Sequence, residues 1–310
     1  CLTVDVYYQM GDPDRAKKLL EQGITALELR DSWYDMYAVN FKLAINLALS
    51  DNDKLACDDY LFRGKEVALK RKLWRLEMLL DVLEQKVALH FNDNFLFEQL
   101  NHKIIREKYW VEELHLWEAK EEYHTTQAIY FLQKNASNKA LFHTEKLLNI
   151  CIASKQIIGI SKAKIIQALA YASRESHDKA FNILHEACLD CAKYKIKQVF
   201  YEMPASIESL LLKFKKHHGD FLKKIDSNFI NVVIGGFKNN KSDLSKFGLS
   251  HREQQLIPLL IQGQSNKQMS ATLGISDNTV KFHMKNLFAK LNVHNRNEAT
   301  IFFLKSGYQA

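Results

Sequence analysis

Apolar residues of positions 1–212 recur at the three- and four-residue intervals of amphipathic helices, with no proline between Asp14 and Met203. The helical pattern is itself periodic. A polar turn followed by an alanine and a helix recurs in steps of roughly 40 residues, with one step skipped near 92–100. The alanines are Ala16, Ala56, Ala140 and Ala180, and partner helices are predicted near 32–49, 71–90, 111–134 and 157–174. We therefore predict an all-α, tetratricopeptide-like solenoid of stacked helical hairpins.

The last part of the chain, from residue 246, shows four short amphipathic helices with strong start and stop signals. Two S-x-x-E/Q boxes begin the first two helices, and glycines follow both of them. Ser276 or Asp277 can cap the third helix, which runs to about Leu291, and Asn295 caps the fourth. The signals in the first two helices are Ser250 with Glu253, Gly263, Ser265 with Gln268, and Gly274.

The second and third of these helices are joined by Gly-Ile-Ser, the arrangement of a helix-turn-helix, whose second helix enters the major groove. On a helical wheel the third helix has an apolar stripe of Val280, Met284, Leu287 and Leu291. Its other face carries an amide, two lysines and an aromatic ring. An amide can hydrogen-bond to adenine, a lysine can hydrogen-bond to guanine, and a ring can contact the methyl group of thymine. We predict that the base-reading residues are Asn278, Lys281, Phe282 and Lys285. The alternative is an ordinary amphipathic helix with solvated lysines.

The segment resembles the LuxR/FixJ-type DNA-binding domain. The matching residues are Leu249, Ser250, Arg252, Glu253, Leu259, Leu260, Gly263, Ser265, Asn266, Lys267, Leu273, Ile275, Ser276, Thr279, Val280, Lys281, His283, Lys290, Leu291, Val293, Arg296 and Glu298. The resemblance implies base reading by the third helix, phosphate contacts at helix ends, and pairing of two subunits through the fourth helix. The phosphate candidates are Asn266, Lys267, Ser276, Thr279, His283 and Lys290. The dimerisation candidates are Ala299, Phe302 and Phe303, since so small a domain is not expected to bury them all.

A second resemblance covers the segment before this domain. Phe200, Glu202, Pro204, Ile207, Leu210, Leu211 and Phe237 are similar to the segment that links solenoid and DNA-binding domain in MalT-like regulators. The whole chain thus resembles the C-terminal part of that family, in which a P-loop nucleotide-binding domain precedes the solenoid. Around Gly64-Lys65 the P-loop pattern fails, so we expect no cofactor in this chain, and ATP only if an upstream domain exists. The chain starts at Cys1 without an initiator methionine, so we expect a fragment or processed product.

Positive charge is concentrated in the last third of the 310-residue chain. The net charge is +7, yet residues 1–212 carry −2, as is typical of a basic DNA-binding end on a near-neutral regulatory part. The expected division is a helical-repeat regulatory domain at 1–212, a connecting helix and linker at 213–245, and a four-helix LuxR-type domain at 246–310. No apolar run is long enough to span a bilayer, and we expect a cytoplasmic, bacterial protein without membrane partners.

Other chemistry is poorly supported. Cys188-x-x-Cys191 lacks two further ligands for a metal, so we expect two small apolar residues on a helix. No nucleophile and base pair stands out, and we predict neither an enzyme nor a metal protein. The leading hypothesis is a sequence-specific transcriptional regulator, with the resemblance implying an activator. Its expected partners are double-stranded DNA, a second subunit on DNA, RNA polymerase, and a small-molecule or protein effector. The alternative is a protein–protein interaction scaffold with a non-catalytic helix-turn-helix module.

Overall fold

The computed structural model describes residues 2–29, 31–106, 117–217, 227–242 and 249–305, and every regular element in those ranges is a helix. The all-α fold predicted from the sequence is therefore confirmed. The chain divides into two compact units, Cys1–Ile230 and Asn231–Ala310. The finer division with a connecting segment at 213–245 stays a prediction. Among the described residues no helix is both long and apolar enough to cross a bilayer.

Thirteen helices precede residue 243 in the described ranges. They are α1 (Leu2–Gln9), α2 (Pro13–Leu29), α3 (Tyr34–Ser50), α4 (Lys54–Lys70), α5 (Trp74–His90), α6 (Asn94–Arg106), α7 (Trp117–Gln133), α8 (Ser137–Ala153), α9 (Ile157–Ala172), α10 (His177–Tyr194), α11 (Gln198–Tyr201), α12 (Ser206–His217) and α13 (Ser227–Ser242). The partner helices predicted near 32–49, 71–90, 111–134 and 157–174 correspond to α3, α5, α7 and α9.

Seven of the turns between these helices share one backbone geometry. Each of the seven contains a residue in the left-handed region, and the next amide bonds back to a carbonyl five positions earlier, as Asp53 N does to Ala48 O at 2.9 Å. Such a closure satisfies carbonyls at the end of a helix and reverses the chain within three residues. The left-handed residues, with φ between 55° and 59°, are Asn52, Lys72, Asn92, Asn135, Lys155, Glu175 and Lys195.

Helices α2, α4, α6, α8 and α10 form an outer layer with one buried stripe each. The fourth residue of every outer helix is buried, which defines the true register of the repeat: Ala16, Cys57, Phe97, Ala140 and Ala180. Ala56 was therefore assigned one position too early. It is only half-buried, and its N–H is bonded by the N-cap Asp53. Phe97 occupies the step that the sequence pattern skipped, where its ring stacks on Tyr130 at 4.3 Å.

Helices α3, α5, α7 and α9 form an inner layer that is buried on most of its faces. Contacts run from α1 to α3, α5, α7, α9 and α11 in turn, and α11 contacts α1, so the inner helices close a circuit. Close approach of the layers needs small residues at some positions. A Cβ added at Gly64 of α4 would lie 2.9 Å from a methyl of Leu80 on α5.

Cys188 and Cys191 lie on the buried face of α10 and are fully buried. Burial raises the pKa of both thiols, that of Cys191 to about 12, so both stay protonated. They pack as small apolar side chains, as the sequence predicted. Within the described ranges, no group of three or more His, Cys, Asp or Glu side chains is arranged to hold a metal ion.

Candidate nucleic-acid interface

Helices α14 (His251–Ile261), α15 (Asn266–Leu273), α16 (Asp277–Leu291) and α17 (Arg296–Lys305) pack around one small core. The four helices occur where the sequence predicted them. Pro258 lies inside α14, yet the helix continues to Ile261 and Gln262 N bonds to Pro258 O at 3.0 Å. The buried core consists of Leu249, Leu256, Ile257, Leu259, Leu260, Met269, Val280, Met284, Leu287, Leu291, Ala299 and Phe303.

Both predicted capping boxes are present. Ser250 Oγ accepts from Glu253 N at 3.3 Å, and the Glu253 carboxylate accepts from Ser250 N at 2.7 Å. Ser265 and Gln268 repeat the exchange at 3.4 Å and 2.8 Å. Each box satisfies two amides that the first turn of a helix leaves without partners. The sequence therefore fixes the starts of α14 and α15 through local contacts alone.

The turn between α15 and α16 has the geometry of a helix-turn-helix. Gly274 ends α15 in the left-handed region at φ 64°, where a side chain would be strained. Ser276 then caps α16 by accepting from Thr279 N at 3.1 Å, which resolves the choice that the sequence left between Ser276 and Asp277. Asp277 instead accepts a hydrogen bond from Ser270 Oγ, so a side-chain contact also joins the two helices.

Helix α16 has two chemically different faces, as the helical wheel predicted. Val280, Met284, Leu287 and Leu291 are buried against the other helices. The opposite face holds the four residues predicted to read bases, and all four are exposed; the ring of Phe282 is 61% exposed. An exposed ring on this face is compatible with the predicted contact to a thymine methyl, which stays a prediction. The four residues are Asn278, Lys281, Phe282 and Lys285.

The residues predicted to contact phosphate lie around the starts of α15 and α16, with one exception. Lys267 is exposed in the first turn of α15, beside Asn266. Ser276 and Thr279 share a hydrogen bond between their hydroxyls at 2.8 Å, so one hydroxyl proton of the pair remains to donate outward. His283 is half-buried beside Phe282, and its Nδ1 is buried without a hydrogen-bond partner among the described residues.

The exception is Lys290, which has a partner within the domain. Its Nζ lies 2.8 Å from Oε2 of Glu253, a residue that is only 2% exposed. Burial alone would raise the pKa of Glu253, but hydrogen bonds from Lys290 and Ser250 outweigh it and hold the pKa below its usual range. Lys290 therefore supports the packing of α14 against α16, and its contact with phosphate stays a prediction.

Arg296 is a supporting residue that sequence reasoning noted only as a family match. Its guanidinium donates to Gln264 O and, at 3.4 Å, to Asn266 Oδ1. It thus ties the start of α17 to the turn before α15 and to Asn266, the first residue of α15, which precedes Lys267. The only signal for this contact was an arginine in the first turn of a helix, where the helix dipole disfavours a cation. Such a position suggests a specific acceptor nearby.

Two of the three dimerisation candidates on α17 are buried. Ala299 and Phe303 lie fully buried in the core of the domain, so neither is exposed for direct contact with a second subunit. Phe302 is half-buried against the same core. Among the side chains of α17 that the structure describes, the exposed large apolar one is Ile301, at 48%. The predicted start of the helix is confirmed, because Asn295 Oδ1 accepts from Glu298 N at 2.9 Å, whereas Gly307 lies outside the described residues.

Comparison with known proteins matches residues 248–303 to the family described as bacterial regulatory proteins, luxR family. The nitrate/nitrite response regulator protein NarP of Escherichia coli (strain K12) is 51% identical over 57 residues, which are 18% of this chain and 26% of NarP. The uncharacterized transcriptional regulatory protein YhcZ of Bacillus subtilis (strain 168) is 32% identical over 107 residues, 34% of this chain and 50% of YhcZ.

A third relative matches a longer part of the chain. The HTH-type transcriptional regulator MalT of Vibrio parahaemolyticus is 27% identical over 197 residues, 56% of this chain and 20% of that protein. The chain spans half or less of the length of these relatives. No solved structure matches it significantly. With its capping boxes, its Gly-Ile-Ser turn and its two-faced α16, the segment at residues 248–303 is a DNA-binding helix-turn-helix domain of the luxR family, in a chain whose relatives include MalT-like regulators.

Proposed function

We propose that the chain is a sequence-specific transcriptional regulator that inserts α16 into the DNA major groove. The observation that carries this proposal is the exposed face of α16, where two lysines, an amide and an exposed ring lie together. Lys281 and Lys285 would reach guanine edges, Asn278 an adenine edge, and Phe282 a thymine methyl. The buried stripe of the same helix fixes the direction in which these side chains point.

The residues around the starts of α15 and α16 would bind the phosphate backbone. The first amides of a helix and its positive dipole end favour an anion, and Lys267 adds a full charge at the start of α15. Asn266, Ser276, Thr279 and His283 would add polar contacts nearby. These contacts orient the domain on the duplex, whereas the face of α16 carries the sequence preference.

Two copies would pair on DNA through α17. Ile301 and Phe302 are at least partly accessible apolar side chains of that helix. A two-fold pairing through this surface would present two α16 helices to two half-sites of an operator. Ala299 and Phe303 would support the surface from within the core and take no direct part in it.

The helical-repeat part, proposed at residues 1–212, would act as the regulatory arm that responds to a small molecule or a protein. The support is the similarity to the MalT regulators over part of the chain. We further propose that the chain is an activator that contacts RNA polymerase. The connecting segment at 213–245 would join this arm to the DNA-binding domain at 246–310.

The test measures fluorescence anisotropy of the full chain on labelled duplexes, first on a random pool and then on duplexes enriched from it. We expect enriched duplexes to bind at least a thousandfold more tightly than random DNA. The logarithm of affinity should fall steeply with the logarithm of salt concentration, because phosphate contacts release counterions. Weak binding without salt dependence or enrichment would instead support a scaffold whose helix-turn-helix contacts only proteins.

A further inference from the structure

A continuous chain of charged and polar side chains lies inside the circuit of inner helices. Every helix of the circuit, or the residue that directly follows it, contributes to it, and most of these side chains are buried. Its central member is Glu122 of α7, which is fully buried. The other members are Tyr8 of α1, Lys42 and Asn46 of α3, Lys86 of α5, Glu121 of α7, Lys162 of α9, and Glu202, which follows α11.

Three lysines from three helices surround the carboxylate of Glu122. Lys42 and Lys86 each lie 3.0 Å from it, and Lys162 lies 3.9 Å away. Lys162 also pairs with Glu202 at 2.9 Å. Burial alone would raise the pKa of Glu122, but the three lysines hold it well below its usual range. Burial alone would likewise lower the pKa of Lys162, yet Glu202 and Glu122 raise it, so Lys162 and Glu122 both stay charged at neutral pH.

Buried ion pairs add little net stability, because desolvation offsets their attraction. Removing one partner is nevertheless costly, since the other charge is left buried without compensation. The main effect of such a network is therefore on which arrangement of the helices is stable. It favours the closed circuit, in which every charge has a partner, over arrangements in which one helix has moved away.

The weakest junction of the circuit is the seam between α1 and α11. These two helices have eight and four residues, the shortest in the circuit. Two hydrogen bonds join α1 to the residues that flank α11: Tyr8 OH donates to Glu202 at 2.7 Å, and Lys197 N donates to Gln9 O at 2.9 Å. A third, from Gln198 Nε2 to Ser50 Oγ at 3.3 Å, joins α11 to α3. A junction between two such short helices opens before the packed core of the longer helices does.

Helix α11 also contacts the segment that leads out of the first unit. The ring of Phe200, which is fully buried, lies 6.2 Å from that of Phe229 in an edge-on arrangement. Phe229 stands near the start of α13, the helix in which the first compact unit ends. A movement of α11 therefore changes the packing of the start of α13.

We propose that the α1–α11 seam is a latch of the closed circuit, and that its opening releases α11 and, through the Phe200–Phe229 contact, the start of α13. The latch has two discrete arrangements: a closed one, in which Glu202 is shared by Tyr8 and Lys162, and an open one, in which α1 has left it. An effector that binds one arrangement better than the other shifts their populations. This inference goes beyond the proposed regulatory function, and none of its readouts requires DNA.

The test is hydrogen–deuterium exchange of the full chain with mass spectrometry. Tyr8→Phe removes the hydrogen bond to Glu202 and keeps the buried ring. We expect exchange to rise about tenfold or more in α1, α11 and α13 together, because a hydrogen bond to a charged group is lost from a locally opening unit. Exchange in α5 and α8 should stay as in the unchanged chain. Ser50→Ala, which loosens the seam from the α3 side, should repeat the pattern more weakly.

The matched control is Tyr130→Phe, which removes a hydrogen bond to Glu98 at 2.5 Å between α7 and α6, away from the seam. It should leave exchange in α1, α11 and α13 unchanged. The latch is overturned if Tyr8→Phe raises exchange evenly over the first unit, or if α1 loosens while α11 and α13 do not. If Tyr8→Phe fails to fold, Ser50→Ala decides between the same outcomes.

Discussion

Lys290, near the end of α16, donates a hydrogen bond to the carboxylate of Glu253, in the first turn of α14, at 2.8 Å. The same oxygen of Glu253 accepts from Ser250 N at 2.7 Å. One buried carboxylate thus closes the start of α14 and ties that helix to α16. Because α16 carries the predicted base-reading face, α14 helps to hold that face in position.

Glu253→Ala should lower the free energy of unfolding of the DNA-binding domain by about 2–3 kcal/mol, since it removes both a cap and a charged hydrogen bond. The control is Gln268→Ala, which breaks the analogous box of α15, where no lysine takes part, and should cost about 1 kcal/mol. Calorimetric unfolding of the full chain measures both. Equal losses in the two variants would show that the Lys290 contact adds no stability.

The stability of this domain should depend on pH through Glu253. Its pKa in the folded state is lowered, so its contribution is present above the pKa of the unfolded chain, about 4.3, and is lost as pH falls through the folded value. The melting temperature of the domain should therefore fall between pH 5 and pH 3. Glu253→Gln, which can still accept from Ser250 N, should show a shallower fall over the same range. Parallel curves for the two proteins would contradict this assignment.

Glu122→Ala should destabilise the first unit by about 3–5 kcal/mol, because it leaves Lys42, Lys86 and Lys162 without their shared carboxylate. Glu145→Ala, on the exposed side of α8, provides the control and should change stability by less than about 0.5 kcal/mol. Differential scanning calorimetry of the unfolding of the first unit compares the two variants. A small loss for Glu122→Ala would mean that water reaches the network and solvates the lysines.

Pairing on DNA should depend on Ile301 rather than on Phe303. Phe303→Ala should unfold the domain or cost about 3–5 kcal/mol, because its ring is fully buried. Ile301→Glu should leave folding unchanged and should weaken binding to a duplex with two half-sites far more than to one half-site. Gln262→Glu adds the same charge at an exposed position outside α17 and should affect both duplexes alike. Anisotropy titrations on the two duplexes distinguish these results.

Local signals predicted the DNA-binding domain well. The serines at 250, 265 and 276 and the glycines at 263 and 274 act within a few residues of themselves, so their roles follow from chain geometry. The apolar stripe of α16 was equally readable, because helical periodicity alone places those residues on one face.

Contacts between distant residues were not predictable in this way. Nothing in the local pattern pairs Lys290 with Glu253, Arg296 with the Gln264 carbonyl, or Tyr8 with Glu202, 194 residues away. In the sequence, Glu122 belongs to a run of charged residues of the kind that usually lies in solvent. Only the fold shows that lysines from three other helices surround its buried carboxylate. The burial of Ala299 and Phe303 was missed because it depends on how four short helices share one core.

Base reading and phosphate anchoring should separate in the behaviour of two lysines, both exposed and both near the proposed DNA surface. Lys285 lies on the face of α16 with Lys281 and Phe282, whereas Lys267 lies in the first turn of α15. Substituting Lys285 by Ala should cost about 1–3 kcal/mol on an enriched duplex and much less on random DNA, because a base contact is lost only where the right base is present.

Lys267→Ala should behave differently, because a phosphate is present at every site. It should weaken binding to enriched and random duplexes alike and reduce the slope of log affinity against log salt by about one unit. The two variants make the same change of charge, so net charge alone cannot produce a difference between them. Binding series at several salt concentrations measure the affinity of each of the two variants for each of the two duplexes. If Lys285→Ala weakened both duplexes equally while Lys267→Ala changed the sequence preference, the start of α15 would be the reading surface, and the domain would meet DNA in the opposite orientation.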